Sequence, residues 1–131
     1  MSQLKKIIKD SSFVIEEGTY SVAKIKGNLK PDNCFMVTVD KLEMTAIYRS
    51  DISISNVIEK KDEYVLIGID VSIPFYSVGF IAEVTNCLAK EGINVLVVST
   101  FSRDYFLVNN KYKEISRKVL VKLGMKDNSK T

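Results

Sequence analysis

The stretch SVGFIAEVTNCLAKEGINVLVVSTFSRDYFLV, residues 77–108, decides the fold. Within it Phe80, Ile81, Val84, Cys87 and Leu88 recur at the three- and four-residue spacing of one helix face, with Glu83, Asn86 and Lys90 opposite. This period predicts a helix over 77–91, with Ser77 as its N-cap and Gly92 at the left-handed position past its end. Residues 94–100 then read as an apolar strand, Ser102-Arg103-Asp104 as a tight turn and 105–108 as a returning strand.

Downstream, Asn110 is expected to cap a last helix running to 123. Its apolar stripe is Ile115, Val119, Leu120 and Leu123, and Gly124 ends it. Upstream, 64–71 is a nearly continuous apolar run with Gly68 inside, which suits a strand buried on both faces or closely approached by a neighbour. Residues 73–76 read as a loop. The order is β-α-β-β-α, five elements of a ferredoxin-like β-α-β-β-α-β unit. Residues 125–131 are polar and tail-like, so the sixth strand is expected to be missing, leaving an open sheet edge.

The first half reads as mostly β. Strands are expected at 12–16 and 19–26, with a hairpin of 34–39 and 44–49 around Asp40-Lys41. Pro31-Asp32-Asn33 can open one helical turn, and 50–55 is a polar connection. Residues 1–10 form either a charged arm or a short helix docking Leu4, Ile7 and Ile8. Strand 12–16 is one the first half can donate to the incomplete second. The expected fold class is therefore α+β, with two intertwined ferredoxin-like units and antiparallel sheets. No Gly/Pro/Ser-rich linker divides them.

Composition sets the limits of the chemistry. The chain has 131 residues, of which 46% are hydrophobic, enough for a core, and it has no histidine. Imidazole triads, histidine zinc sites and histidine proton relays are therefore excluded. Cys34 and Cys87 form no CxxC pair and read as small buried hydrophobes in a reducing compartment. No secretory leader opens the sequence and no apolar run approaches the roughly 20 residues of a membrane span, so a cytoplasmic location is expected. The formal net charge is +3, and the basic residues are mostly lysine. A basic excess within 111–131 reads as a solvated lysine face rather than a nucleic-acid or membrane surface. No nucleophile–base pair, metal cluster or phosphate loop is evident, so neither catalysis nor a cofactor is expected.

Residues 77–108 also resemble the ACT-domain pattern of small bacterial tandem-ACT proteins, similar to the cytosolic arginine sensors and aspartokinase regulatory domains. The resemblance rests on Gly79 near the helix start, on LAKEGIN (88–94) and on VSTFSRDYFLV (98–108). It covers 62–124 as a second ACT unit, and 12–61 more loosely as a divergent first ACT-like unit. It implies a non-catalytic regulatory protein holding a small molecule, typically an amino acid, between the two units. It also implies a homodimer and a signal passed to a linked enzyme or a protein partner. Carried across position by position, the ligand contacts are Phe75, Tyr76, Ser77, Val78 and Gly79 in the entry loop, with Ser99, Thr100, Phe101 and Asp104 in the turn.

Elementary chemistry supports such a site. N–H groups around 77–79 suit a carboxylate, and Asp104 can accept from an ammonium group. Phe75, Tyr76 and Phe101 can supply apolar walls. Each residue also has an ordinary reading: Gly79 for helix–sheet packing, Ser77 as a cap, Asp104 with Ser102 as turn stabilisers, and Phe101 and Tyr105 as core. Arginine-sensing relatives carry an acid in the entry loop, where this chain has Ser77, which argues against arginine as the ligand. The alternatives to a sensor are an adaptor with a decayed pocket and an RNA-binding sheet. The sheet lacks the basic, glycine and aromatic run of RNA-recognition motifs.

Overall fold

The computed structural model describes residues 3–27, 33–72 and 77–130. Its elements in chain order are α1 (Gln3–Lys9), β1 (Ser12–Ile15), β2 (Tyr20–Ile25), β3 (Met36–Val39), β4 (Met44–Arg49), β5 (Val57–Asp70), α2 (Phe80–Lys90), β6 (Leu96–Ser99), β7 (Asp104–Asn109), α3 (Lys113–Leu123) and β8 (Lys126–Asp127). They divide into two compact units, one of Met1–Glu17 with Val65–Thr131 and one of Gly18–Tyr64. The fold is α+β and ferredoxin-like: β1–β5, β2–β4, β2–β5, β3–β4 and β6–β7 pair antiparallel, and β8 pairs parallel with β1.

In the larger unit the strand order is β6-β7-β5-β1-β8. The last part of β5 is buried from Val65 to Ile69 without alternation, as expected of a strand covered on both faces. Gly68 is the point of close approach: a Cβ there would lie 3.0 Å from Cε1 of Tyr105. Phe80, Val84 and Leu88 bury one face of α2 against a core that includes Phe13, Ile67, Phe106 and Leu120. The chain start is a short helix, α1, whose Ile7 and Ile8 join that core.

The donated strand is present. β1 pairs antiparallel with β5, setting Phe13 opposite Ile69 and Ile15 opposite Ile67. The expected absence of a sixth strand is corrected. β8 pairs parallel with β1, so the N-terminal strand sits between the first and last strands of the β-α-β-β-α-β set. Lys126 N–H donates to the Ser11 carbonyl at 3.1 Å and Asn128 N–H to that of Phe13 at 2.8 Å. The Ser129 hydroxyl accepts from Ile15 N–H. Backbone pairing at a wet edge needs no apolar side chains, which is why a polar sequence forms this strand. Met125, just before it, is buried, and Arg117 on α3 donates to Asp127 at 2.6 Å.

Helix ends differ from expectation in two places. Gly79, not Ser77, occupies the N-cap of α2, with φ +86° in the left-handed region. Phe80 N–H donates to the Ser77 carbonyl at 3.1 Å, so a turn precedes the helix and leaves Ser77 too early to cap it. Asn109, not Asn110, caps the last helical segment. Its side chain accepts from Lys111 N–H, and a single 3-10 turn over Asn110–Tyr112 delays α3 to Lys113. The C-terminal end of α2 is as expected: Gly92 at φ +77° donates to Ala89 and Ile93 to Leu88. On α3 the buried residues are Ser116 and Leu120, while Ile115 is exposed. Val119 and Leu123 of the expected stripe pack against the core with Leu120, so only Ile115 falls outside it.

The smaller unit is an antiparallel sheet in the order β3-β4-β2-β5, using the early part of β5. Ala23, Ile25, Ala46 and Tyr48 form its core, with Cys34 packed against them. The β3–β4 hairpin turns on Asp40, whose carboxylate accepts from the N–H groups of Leu42 and Glu43. Those two bonds hold the carboxyl below its ordinary value. Pro31 and Asp32 of the expected helical turn lie outside the described residues. Cys34 and Cys87 are free thiols, and they are half-buried where the sequence reads them as buried small hydrophobes. Burial raises both thiols, and at Cys87 the hydrogen bond to Glu83 raises it further.

Candidate functional site

The site is built where the β6–β7 hairpin meets the entry to α2. The two strands pair in register from Leu96 opposite Leu107 to Ser99 opposite Asp104. Past Ser99, residues 100–103 form the connecting loop, closed by Thr100 N–H donating to the Arg103 carbonyl at 2.9 Å. Asp104 is therefore the first residue of β7 and not part of the turn as expected. Its Oδ1 accepts a hydrogen bond from the Ser99 hydroxyl at 2.6 Å. A strand pair is rigid, so this carboxylate has a fixed position and keeps its second oxygen for another donor.

Beside this hairpin lies a cleft of about 370 Å³, lined by Val71, by Ser77, Val78, Phe80 and Ile81, and by every residue from Ser99 to Asp104. Six expected ligand contacts are thus gathered in one place: Ser77, Val78, Ser99, Thr100, Phe101 and Asp104. Gly79 belongs to the same turn but is not among the lining residues; its left-handed φ is what calls for glycine, since a Cβ there would meet only Leu4 Cδ2 at 3.5 Å. Phe75 and Tyr76 lie outside the described residues. Phe101 is 85% exposed and Val78 93% exposed, so Phe101 is not core, as one reading had it. Tyr105 is half-buried against Gly68.

Sequence reasoning missed Arg103 as a site residue. It lines the cleft, and its Nε donates to Asp70 Oδ1 at 2.5 Å. The hydrogen bond to Asp70, then one to Tyr105, raises the guanidinium above its already high ordinary value, so it stays charged. The available signal was the residue type. Arg103 is one of three arginines in the chain and directly precedes the aspartate that was singled out. The remaining unexpected lining residues, Val71, Phe80 and Ile81, supply an apolar floor.

The cleft thus brings together one carboxylate, one guanidinium, several hydroxyls and an apolar floor. Among the described residues no three His, Cys, Asp or Glu side chains gather as a metal set. No helix among them is long and apolar enough to cross a membrane.

The family model described as ACT domain matches residues 59–121. Among solved structures, the chain is similar to a protein from Agrobacterium tumefaciens at 20% identity and TM-score 0.78, over 92% of this chain and 94% of that one. It is similar to a Vibrio cholerae protein of unknown function at 17% identity and TM-score 0.81, over 93% and 96%. The ligand-free regulatory subunit of aspartate kinase from Thermus thermophilus is a more distant likeness, at 10% identity and TM-score 0.62, over 86% and 96%. Identities this low speak to the fold alone. No curated protein matches the chain in sequence. The matched segment holds most of the β-α-β-β-α run that frames the cleft, and by that match the chain carries an ACT domain at residues 59–121.

Proposed function

We propose that this chain is a non-catalytic regulatory protein of the cytoplasm that binds an amino acid in the cleft beside the β6–β7 hairpin. The observation that carries the reading is the meeting of Ser77 and Val78 with Ser99, Thr100, Phe101 and Asp104 around one cleft, although they come from two separate parts of the sequence. Asp104 offers an acceptor for the ammonium group and Arg103 a donor for the carboxylate. Each such charge-assisted bond contributes about 1.5–3 kcal/mol.

The proposal keeps the resemblance's wider implications. In it residues 12–61 are a divergent first ACT-like unit and 62–124 a second. The chain acts as a homodimer and passes its state to a protein partner. Regulatory domains of aspartate kinases, which share the fold, are the model for such a role.

A thermal-shift screen with the proteinogenic amino acids tests the reading. A ligand at about 100 times its Kd adds ~2.7 kcal/mol to stability. A shift for at least one amino acid, lost in Asp104→Ala with the fold intact, supports it. No shift for any of them rejects it and favours an adaptor whose pocket has decayed.

A further inference from the structure

The cleft holds opposite charges on neighbouring residues, and that sets the class of ligand. Resting on the amino-acid-binding reading above, we infer that the ligand is an amino acid with an uncharged, apolar side chain, and that the guanidinium of Arg103 is its carboxylate partner. Among the described lining residues Asp104 is the sole carboxylate and Arg103 the sole cation.

The alternative carboxylate partner is the start of α2, where Phe80 N–H is already spent on the Ser77 carbonyl. Arg103 has five N–H donors in a planar fork, of which Nε is engaged by Asp70 and one more by Tyr105, leaving three. That bond anchors the side chain while the outer nitrogens keep donors for a bidentate grip. An anchored fork loses less freedom on binding than a loose one.

Charge then decides the side chain. With the ammonium group on Asp104, a lysine or arginine ligand has no second acid among these residues and places its cation near Arg103. An aspartate or glutamate ligand has no second base. The floor of Val71, Phe80 and Ile81 is apolar and suits a branched or linear hydrocarbon.

Calorimetric titration of the whole chain with L-leucine, L-lysine and L-leucinamide tests the inference. Work at about pH 6 keeps the α-amino groups protonated. L-Leucine is expected to bind about tenfold or more tightly than L-leucinamide, which lacks the carboxylate. Arg103→Ala should weaken L-leucine by a similar factor and close the gap to the amide. Arg103→Lys, which keeps the charge and loses the fork, should recover only part of it. Binding of L-lysine in preference to L-leucine overturns the inference while leaving amino-acid binding intact. An unchanged gap in Arg103→Ala also overturns it, since the carboxylate then lies elsewhere. Absence of binding by any amino acid overturns both readings.

Discussion

Ser99 and Asp104 face each other as the closing pair of the β6–β7 ladder, and the serine hydroxyl donates to Asp104 Oδ1 at 2.6 Å. The bond orients an acid that half-faces solvent, so its loss affects binding more than stability. Asp104→Asn is expected to change the unfolding free energy by less than about 1 kcal/mol while abolishing the ligand-induced thermal shift. Ser99→Ala should weaken binding less than Asp104→Asn, because it frees the carboxylate without removing it. Urea denaturation with and without ligand measures both.

Gly68 owes its identity to Tyr105. A Cβ would meet the ring edge at 3.0 Å in a strand buried on both faces, so Gly68→Ala forces the ring to move. The expected cost is about 1–2 kcal/mol. In a Tyr105→Ala background the same substitution should turn neutral or slightly stabilising, as the unfolded chain loses glycine's freedom. A double-mutant cycle on denaturation midpoints reads the coupling.

The N-terminal strand is part of the core built mainly by the second half. Phe13 is fully buried and paired opposite Ile69, so Phe13→Ala should cost about 3–5 kcal/mol. A fragment of residues 59–131 should fail to unfold cooperatively by circular dichroism, because the place between β5 and β8 is empty. Adding residues 1–17 as a peptide should restore a transition.

Acid should loosen β8. Burial by itself raises the Asp127 carboxyl, but hydrogen bonds from Ser129 and then Arg117 outweigh it and hold the group below 3.8. A carboxyl depressed on folding adds stability that is present above its unfolded value, near 3.8, and is lost as pH falls through the folded value. The denaturation midpoint should therefore drop as pH falls below about 4, and Asp127→Asn should flatten that part of the profile. Arg117→Ala, at neutral pH, should cost about 1–2 kcal/mol.

Where side chains dictate an element, the sequence is legible. Phe80, Val84 and Leu88 announce the buried face of α2, Gly92 its end, and Val65–Ile69 a strand covered on both sides. Where the backbone dictates it, the sequence is mute. β8 is held by main-chain bonds to β1, and nothing in Lys126-Asp127 advertises a strand. A left-handed Gly79 moved the helix start away from Ser77, and a single 3-10 turn moved the cap to Asn109. On α3 the apolar residues Val119, Leu120 and Leu123 mark the core face, and only Ile115 misleads, because the buried position beside it is held by Ser116. At the site, the turn residues were readable from their order, but Arg103 became a cleft residue only once Asp70 was seen to anchor it.

The most direct test of the central claim is a heteronuclear NMR titration of the intact chain with L-leucine. The account predicts saturable shifts concentrated in the amides of 77–81 and 99–104, with those of the β3–β4 hairpin unmoved. Shifts that never saturate, or that fall away from this cleft, would contradict it.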